Sequence, residues 1–377
     1  MISIFLMINL ILVNNLKVHF IDIGQGDACL IETGQSYYLV DAGVDRSDDK
    51  LLNYLNSAGV DTIDAGLMTH PDYDHYGEFQ DLIESGVVLL RFVRNKDHKD
   101  NITFLNLLAT LANYQIPVDT VNYTDSLNWG LETQILSPNY NNGFGGYNNN
   151  SIVFTVNYGQ IKFLFTGDSE TENNNYLINN YNMDIDVLKV SHHGSTNGTD
   201  LNFISSTTPL ISVVSSGINN YGHPSHDVIS LLRIGGSLVY STADDCSTWV
   251  GNGSSDYSVD DDVVVETDGV RIWVNGVLVY DPTVVEEEIY SPDQDFSCSN
   301  FVINQRFEFR LDLSESCNFS LEIFNISGQK IDEFAINDLG IGEYNFNMNL
   351  ENAAAGMYLL KVNFNRTTIS KSLILLE

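Results

Sequence analysis

The sequence predicts an α/β fold followed by a smaller all-β domain. Three observations predict it. Short β-type runs alternate with segments of helical periodicity from Leu16 to about residue 281; polar residues gather just after the β runs end; and beyond an acidic stretch at 282–300 only β-type runs remain.

The elements follow in order. "KVHFIDI", "DACLIET" and "YYLVDAG" read as short strands broken by glycine. Helices then interleave: Leu51, Leu52 and Leu55 share a face in a segment that stops at Gly59, and Leu105, Leu108 and Leu111 do the same further on. "IDAGLMT", "GVVLLRFV" and "ETQILSP" are the strands between them. An Asn/Gly-rich loop precedes "SIVFTVNYGQIKFLFTGD", a hairpin with a Tyr-Gly-Gln turn that ends at Asp168. Alternation resumes through "DVLKVSHHGS", "LISVVSSG", "HDVISLLRIGG" and "SLVYSTAD". The stretch 282–300, acidic and with two prolines, reads as a linker. Residues 301–377 read as strands separated by Gly, Asn and Asp turns, a small β-sandwich.

The chain has 377 residues, 43% hydrophobic, enough apolar material for more than one core. Seventeen Lys and Arg against fifty Asp and Glu give a net charge of −33, which repels phosphate backbones and anionic membranes at long range. The one basic cluster is "LLRFVRNKDHK", residues 89–99. The charge therefore argues against tight, extended duplex binding, and a polyanionic substrate has to be held locally. Cys29, Cys246, Cys298 and Cys317 form no CxxC pair; Cys29 reads as a small buried side chain, and Cys298 with Cys317 is the one pairing the tail allows. The opening run "MISIFLMINLILV" is shorter than the roughly 20 residues of a membrane span and suits a signal-peptide core, so 1–15 is a signal segment, with an extra buried strand as the alternative. No stretch is long enough for a stable membrane span.

Four clusters carry chemistry: His70/Asp72/Asp74/His75, then Asp168, then His192/His193, then His223. Taken alone, a His/Asp-rich loop on an acidic chain is as well explained by solvated surface. Each cluster, however, follows a strand end, where an α/β architecture gathers its loops on one rim. Carboxylates and imidazoles crowded there repel one another or shift their pKa values unless a cation neutralises them. Their number suits two divalent ions, and His/Asp ligands without thiolate fit Zn²⁺ or Mn²⁺. His19, His98 and His226 have no constellation around them.

These residues carry a resemblance to the metallo-β-lactamase superfamily, and within it to ComEC-like hydrolases, over residues 16 to about 275. "VHFIDIGQGDACLIET" and "YYLVDAG" look like the opening strands; "THPDYDHYGE" resembles the HxDxDH form of the metal motif; "FLFTGD", "LKVSHHGS" and "YGHPS" follow in the family's order. The resemblance implies an αββα sandwich, with His70 and Asp72 on one metal, Asp74, His75 and His223 on the other, and Asp168 bridging. The usual third-motif histidine is missing where this chain has "NNNSIV", so Asn150 contributes weakly or the first position is under-filled, and the Asp74/His75 position binds more tightly. A bridging water or hydroxide is the nucleophile. His192 and His193 follow a strand that points them in opposite directions, so one of the two reaches the substrate. Asp27 and Asp41 are either backing residues of the centre or turn anchors, and Ser195 is either a backing or a substrate-facing residue.

The tail resembles the C-terminal sorting domain of type IX secretion in Bacteroidota, through "EIFNISGQKI", "AAAGMYLLKV" and "SKSLILLE". That implies a partner in the type IX machinery and an extracellular or cell-surface location. The expected function is a secreted metal-dependent phosphodiesterase, acting on short or single-stranded nucleic acid or on a small phosphodiester. The alternatives are an inactive binding module on the same fold and a β-lactam hydrolase.

Overall fold

The computed structural model describes residues 15–34, 36–44, 49–242, 256–258, 261–282, 294–298, 301–303, 306–325, 330–350, 353, 356–364 and 367–376. The expected signal segment falls almost wholly outside them, as does Cys246. The chain divides into two compact units, Met1–Pro282 and Thr283–Glu377.

The first unit is built on two large sheets. One runs in the order Val277–Tyr280, Ile272–Val274, Val263–Thr267, Leu16–Phe20, Cys29–Thr33, Ser36–Val40, Ala65–Met68, Phe92–Arg94, Val118–Thr120. The other runs Asp256–Ser258, Leu238–Ser241, Ile211–Val214, Val187–Lys189, Ile161–Phe165, Val153–Tyr158, Glu132–Ser137. Alternation along each strand sends side chains to opposite faces. Val18, Phe20, Ile31, Val40 and Leu67 of the first sheet meet Phe154, Phe163, Phe165, Val187 and Val213 of the second in one buried layer. On the first sheet's outer face, Leu30, Leu39 and Met68 pack on Leu51, Leu55, Phe104 and Leu107 of helices Lys50–Ser57 and Ile102–Asn113. On the second sheet's outer face, Leu164, Leu188 and Val214 pack on Leu177, Phe203 and Leu232 of helices Thr171–Asn180, Leu201–Thr207 and His226–Ile234. The result is a helix–sheet–sheet–helix sandwich, the α/β architecture expected.

Strands Ser36–Val40, Ala65–Met68 and Phe92–Arg94 are mutually parallel, and so are Ile161–Phe165, Val187–Lys189 and Ile211–Val214. Asp41, the His70–His75 segment, Asp168, His192 and His193 follow the carboxyl ends of these strands. "GVVLLRFV" divides into Val88–Leu89 and Phe92–Arg94 because the halves pair with different strands, Thr62–Ile63 and Ala65–Met68.

In the second unit, strands Gln294–Cys298, Arg306–Leu313 and Gly342–Asn349 form one sheet. Phe301–Ile303, Thr367–Leu376, Gly356–Phe364, Cys317–Asn325 and Lys330–Leu339 form another. Phe307, Phe309 and Leu311 of the smaller sheet share a core with Phe319, Leu321, Leu360 and Val362 of the larger. Two expectations are corrected here. Residues 294–298 are not linker, since they pair with Leu313–Phe309 as an edge strand. Cys317 is a buried free thiol, so the Cys298–Cys317 bridge is not formed; the two lie on strands of different sheets. Among the described residues no helix is long and apolar enough to cross a membrane.

Candidate metal centre

Pro71 keeps the helix from starting at His70, and the short helix Tyr73–Tyr76 begins only after Asp72. His70 and Asp72 thus sit on an extended approach, and Asp74 and His75 on the first turn. Two glycine-containing loops clamp that turn. The Asp27 N–H donates to the Asp74 carbonyl at 3.1 Å, and the Ala42 N–H to the His75 carbonyl at 2.9 Å. Gly26 lies at φ +135°, and a Cβ there would come within 2.6 Å of the Asp74 carbonyl oxygen, so the GQGD loop needs glycine to approach this closely.

Asp41 is the anchor beneath His75. It is 1% exposed and takes φ 59°, a conformation Asp tolerates better than most residues. Its carboxylate accepts from Thr69 N at 2.7 Å, from Thr69 Oγ1 at 2.8 Å and from His75 Nδ1 at 2.8 Å. The last bond fixes the His75 tautomer and aims Nε2 at the opposite sheet.

From the opposite sheet Asp168 meets it. His75 Nε2 lies 3.3 Å from Asp168 Oδ2, His193 Nε2 lies 3.4 Å from the same oxygen, and His193 Nε2 lies 3.5 Å from Asp74 Oδ2. A tetrahedral centre with bonds of roughly 2.1 Å has edges of roughly 3.4 Å. His70 Nε2 and Asp72 Oδ2 are 3.6 Å apart, and the His70 and His75 rings are 4.1 Å between centroids. The buried atoms His70 Nε2, His75 Nε2, His193 Nε2 and Asp168 Oδ1 have no hydrogen-bond partner. Buried polar atoms are nearly always paired, so the orphans of His75, His193 and Asp168 beside one another, with that of His70 on the ring next to His75, fit a site for cations.

The structure rearranges several expectations. His192 and His193 do not diverge as strand neighbours would: both adopt left-handed backbone, φ 49° and 52°, and both reach Asp168 Oδ2, at 3.7 and 3.4 Å. Gly194 continues that turn at φ +78°, where a Cβ would meet Pro224 Cβ at 2.5 Å. His193 therefore stands beside Asp74 and His75, where His223 was expected. His223 instead faces His192, ring centroids 5.3 Å apart. The Asn150 side chain donates to Asp97 Oδ2 at 2.9 Å, so the loop does not aim it at Asp168. Ser195 Oγ donates to Asn197 at 2.5 Å, which ties it to its own loop.

Asp27, His75, Asp168 and His193 each place one ligand-type atom within 4.8 Å of the others. Asp27 nevertheless approaches the Nδ1 edges of the two histidines, at 3.6 Å, whereas Asp168 approaches their Nε2 edges. It stands behind the imidazoles. Lys189, which sequence reasoning missed, is 3% exposed and pairs with Asp27. Its signal was a lone cation inside the apolar run "DVLKV". His19 is a satisfied structural histidine, bonded to the Tyr54 hydroxyl at 2.7 Å, while His98 and His226 pair at the surface with Asp100 and Asp227.

Electrostatics follow from this packing. Burial disfavours a charged His75, but Asp168 and Asp41 outweigh it and hold its pKa well above the ordinary value. Burial likewise opposes charge on His193, and Asp168 and Asp27 push it up to about 10. Despite burial, His193 and His75 hold Asp168 well below the usual carboxylate range. Burial and the neighbouring imidazoles of His192 and His193 bring His223 down to about 4. Cation uptake must displace the protons of His75 and His193. Titrating the chain with Zn²⁺ near pH 8, in buffers of different ionisation enthalpy, is expected to show about two protons released per chain. Without metal the same protonation stabilises the fold. Both histidines have folded pKa values above the unfolded one, so the contribution is complete below about pH 6.5. It fades as pH rises, for His193 through about 10.

Residues 21–217, more than half of the chain, match the model of the metallo-beta-lactamase superfamily, and residues 303–376 match that of a secretion system C-terminal sorting domain. The chain is 30% identical over 238 residues to ComE operon protein 3 of Bacillus subtilis (strain 168), covering 58% of this chain and 30% of that protein. It is 29% identical over 238 residues to Recombination protein 2 of Haemophilus influenzae, covering 60% of this chain and 28% of that protein. It thus spans less than a third of the length of these relatives. A solved diphosphatase of the PhnP family is similar at 12% identity, with a TM-score of 0.40, over 67% of this chain and 98% of that one.

Proposed function

The chain belongs to the metallo-β-lactamase superfamily and carries a type IX sorting domain for export to the cell surface or beyond, and from that premise we propose that it is a metal-dependent phosphodiesterase. One observation carries the reading: the orphaned imidazole nitrogens of His75 and His193 converge on one oxygen of Asp168 at ligand-to-ligand distances. Asp74, His75, His193 and Asp168 would hold one divalent cation; His70 and Asp72 would share Asp168 on a second. Zn²⁺ and Mn²⁺ both suit this donor set, and the three carboxylates favour harder oxygen-seeking ions more than an all-histidine set would.

When bound, such cations supply Lewis acidity toward phosphoryl oxygens and make a water acidic enough to attack near neutral pH. The protein's own groups do the rest. Asp72 and Asp74 are the members that reach solvent, with side chains 32% and 31% exposed, so the substrate enters on their side. Asp74 orients the attacking water by accepting its hydrogen bond. Burial lowers the pKa of His192 as well as that of His223, so the facing pair is neutral at pH 7 and donates N–H groups to a phosphoryl oxygen.

The relative named for recombination supports nucleic acid as the phosphodiester. Charge limits its form. Arg91 pairs with Asp119, Arg94 donates to the Asn95 and Asp97 carbonyls, Lys96 lies 3.6 Å over the Tyr140 ring, and Lys99 pairs with Asp72. The basic cluster is thus largely engaged internally, and a short or single-stranded substrate, or a small phosphodiester, fits better than duplex.

With Mn²⁺ or Zn²⁺ added, the chain is expected to hydrolyse bis(p-nitrophenyl) phosphate and a short single-stranded oligonucleotide and to leave nitrocefin intact. Asp74→Ala should lower that turnover by at least about 100-fold, beyond the usual effect of removing an outer partner. Turnover that survives Asp74→Ala overturns the mechanism. Turnover of nitrocefin alone assigns β-lactam hydrolysis, and metal uptake without any turnover assigns the inactive binding module.

A further inference from the structure

We propose that Asp27 and Lys189 form a positioning pair behind the metal centre, in which Asp27 backs the imidazoles of His75 and His193 together and Lys189 holds it in place. The inference rests on the metal-centre reading above and extends it to two residues that are not ligands.

Strand alternation sets up the pair. In Val187–Lys189, Val187 faces the layer between the sheets and Leu188 the outer layer, so Lys189 points inward again. A lysine directed into that layer is costly unless it meets an anion. It reaches across to Asp27 Oδ2, in the loop between Leu16–Phe20 and Cys29–Thr33 of the opposite sheet, and donates to the Gly167 carbonyl at 3.2 Å. With both side chains 3% exposed or less, neither can touch substrate.

The carboxylate is placed to act on two histidines at once. Asp27 Oδ2 lies 3.6 Å from His75 Nδ1, and Oδ1 lies 3.6 Å from His193 Nδ1. Each Nδ1 already has its own acceptor, Asp41 at 2.8 Å or the Ser215 carbonyl at 2.9 Å, so Asp27 does not set the tautomers. Oδ1 is buried with no hydrogen-bond partner at all. What it offers is negative charge behind both rings, which raises the basicity of the Nε2 atoms that face Asp168. His75 belongs to one sheet and His193 to the other, so a single anion tunes the ligands contributed by both halves of the sandwich. Lys189 compensates that anion and keeps it from turning toward the centre as a competing ligand.

The test uses the full chain, metal-stripped, titrated with Co²⁺ and followed by its visible absorption, alongside thermal melting without metal. Lys189→Met alone leaves Asp27 uncompensated and is expected to lose both stability and affinity. The double variant Asp27→Asn/Lys189→Met removes both charges. It is expected to melt close to the wild type yet bind Co²⁺ roughly 10–100-fold more weakly, with a displaced visible band. Lys189→Arg should restore most of the wild-type affinity. A double variant with wild-type affinity and an unchanged band overturns the pair's role while leaving the metal centre standing. A wild-type chain that takes up no Co²⁺ overturns the metal-centre reading itself.

Discussion

Asp168→Ala is expected to cost both cation positions and to lower phosphodiester turnover by roughly 10³-fold or more, since losing several kcal/mol of transition-state charge stabilisation corresponds to that factor. The reason is its centrality. One oxygen lies 3.3 Å from His75, 3.4 Å from His193 and 3.7 Å from His192. Its own N–H is fixed by Ser151 Oγ at 3.2 Å, so the backbone position does not depend on the side chain and the variant should remain folded. Removing the carboxylate also removes the main source of the raised His75 and His193 pKa values. Steady-state kinetics and bound-metal measurement on the same preparation check both consequences. A variant that keeps a metal ion and half its activity is incompatible with a shared Asp168.

Asp41→Ala acts through the fold as well as the site. The carboxylate accepts three hydrogen bonds from Thr69 and His75 while buried, and its loss strands donors at a cost of about 3 kcal/mol. Alanine at φ 59° adds roughly 1–2 kcal/mol of backbone strain. Asp41→Asn separates the two effects. Asparagine tolerates the left-handed backbone and through Oδ1 still accepts from the Thr69 N–H, but an NH2 group replaces the Oδ2 that accepts from His75 Nδ1, and the negative charge behind the ring is lost. The asparagine variant should therefore unfold later than the alanine variant in a denaturant titration yet bind metal about 10–100-fold more weakly than the wild type. Equal metal affinity in the asparagine variant and the wild type would separate Asp41 from the centre.

Much of this architecture was legible from local pattern. Strand alternation in "KVHF", "YYLV" and "FLF" and the spacing of Leu51 and Leu55 gave the layers; in Ile102–Asn113 the buried face is instead Phe104, Leu107 and Leu111, and Leu105 of the expected leucine stripe is exposed. The candidate site can be assembled from the sequence as a set of residues, since ligand-type side chains follow strand ends. Its internal assignment cannot be. The exchange of His193 for His223 depends on a left-handed turn at 192–194, and nothing in "SHHGS" shows that two non-glycine residues take positive φ. Asn150 is a weak candidate ligand in the sequence because it occupies the place of a missing histidine; its Asp97 partner lies 53 positions away in sequence. Lys189 needed the pairing of two sheets, 162 positions apart along the chain, to acquire its meaning. The strand at 294–298 was hidden by the acidic, proline-containing stretch before it, although its pairing with 309–313 is long-range and local composition cannot report it.

The most direct test of the account is elemental analysis of the full chain, purified, stripped with chelator and reloaded with Zn²⁺ or Mn²⁺. A shared Asp168 between two cations requires about two ions per chain for the wild type and fewer than one for Asp168→Ala. A wild-type chain that stays metal-free after reloading, or an alanine variant that loads as fully as the wild type, would contradict it.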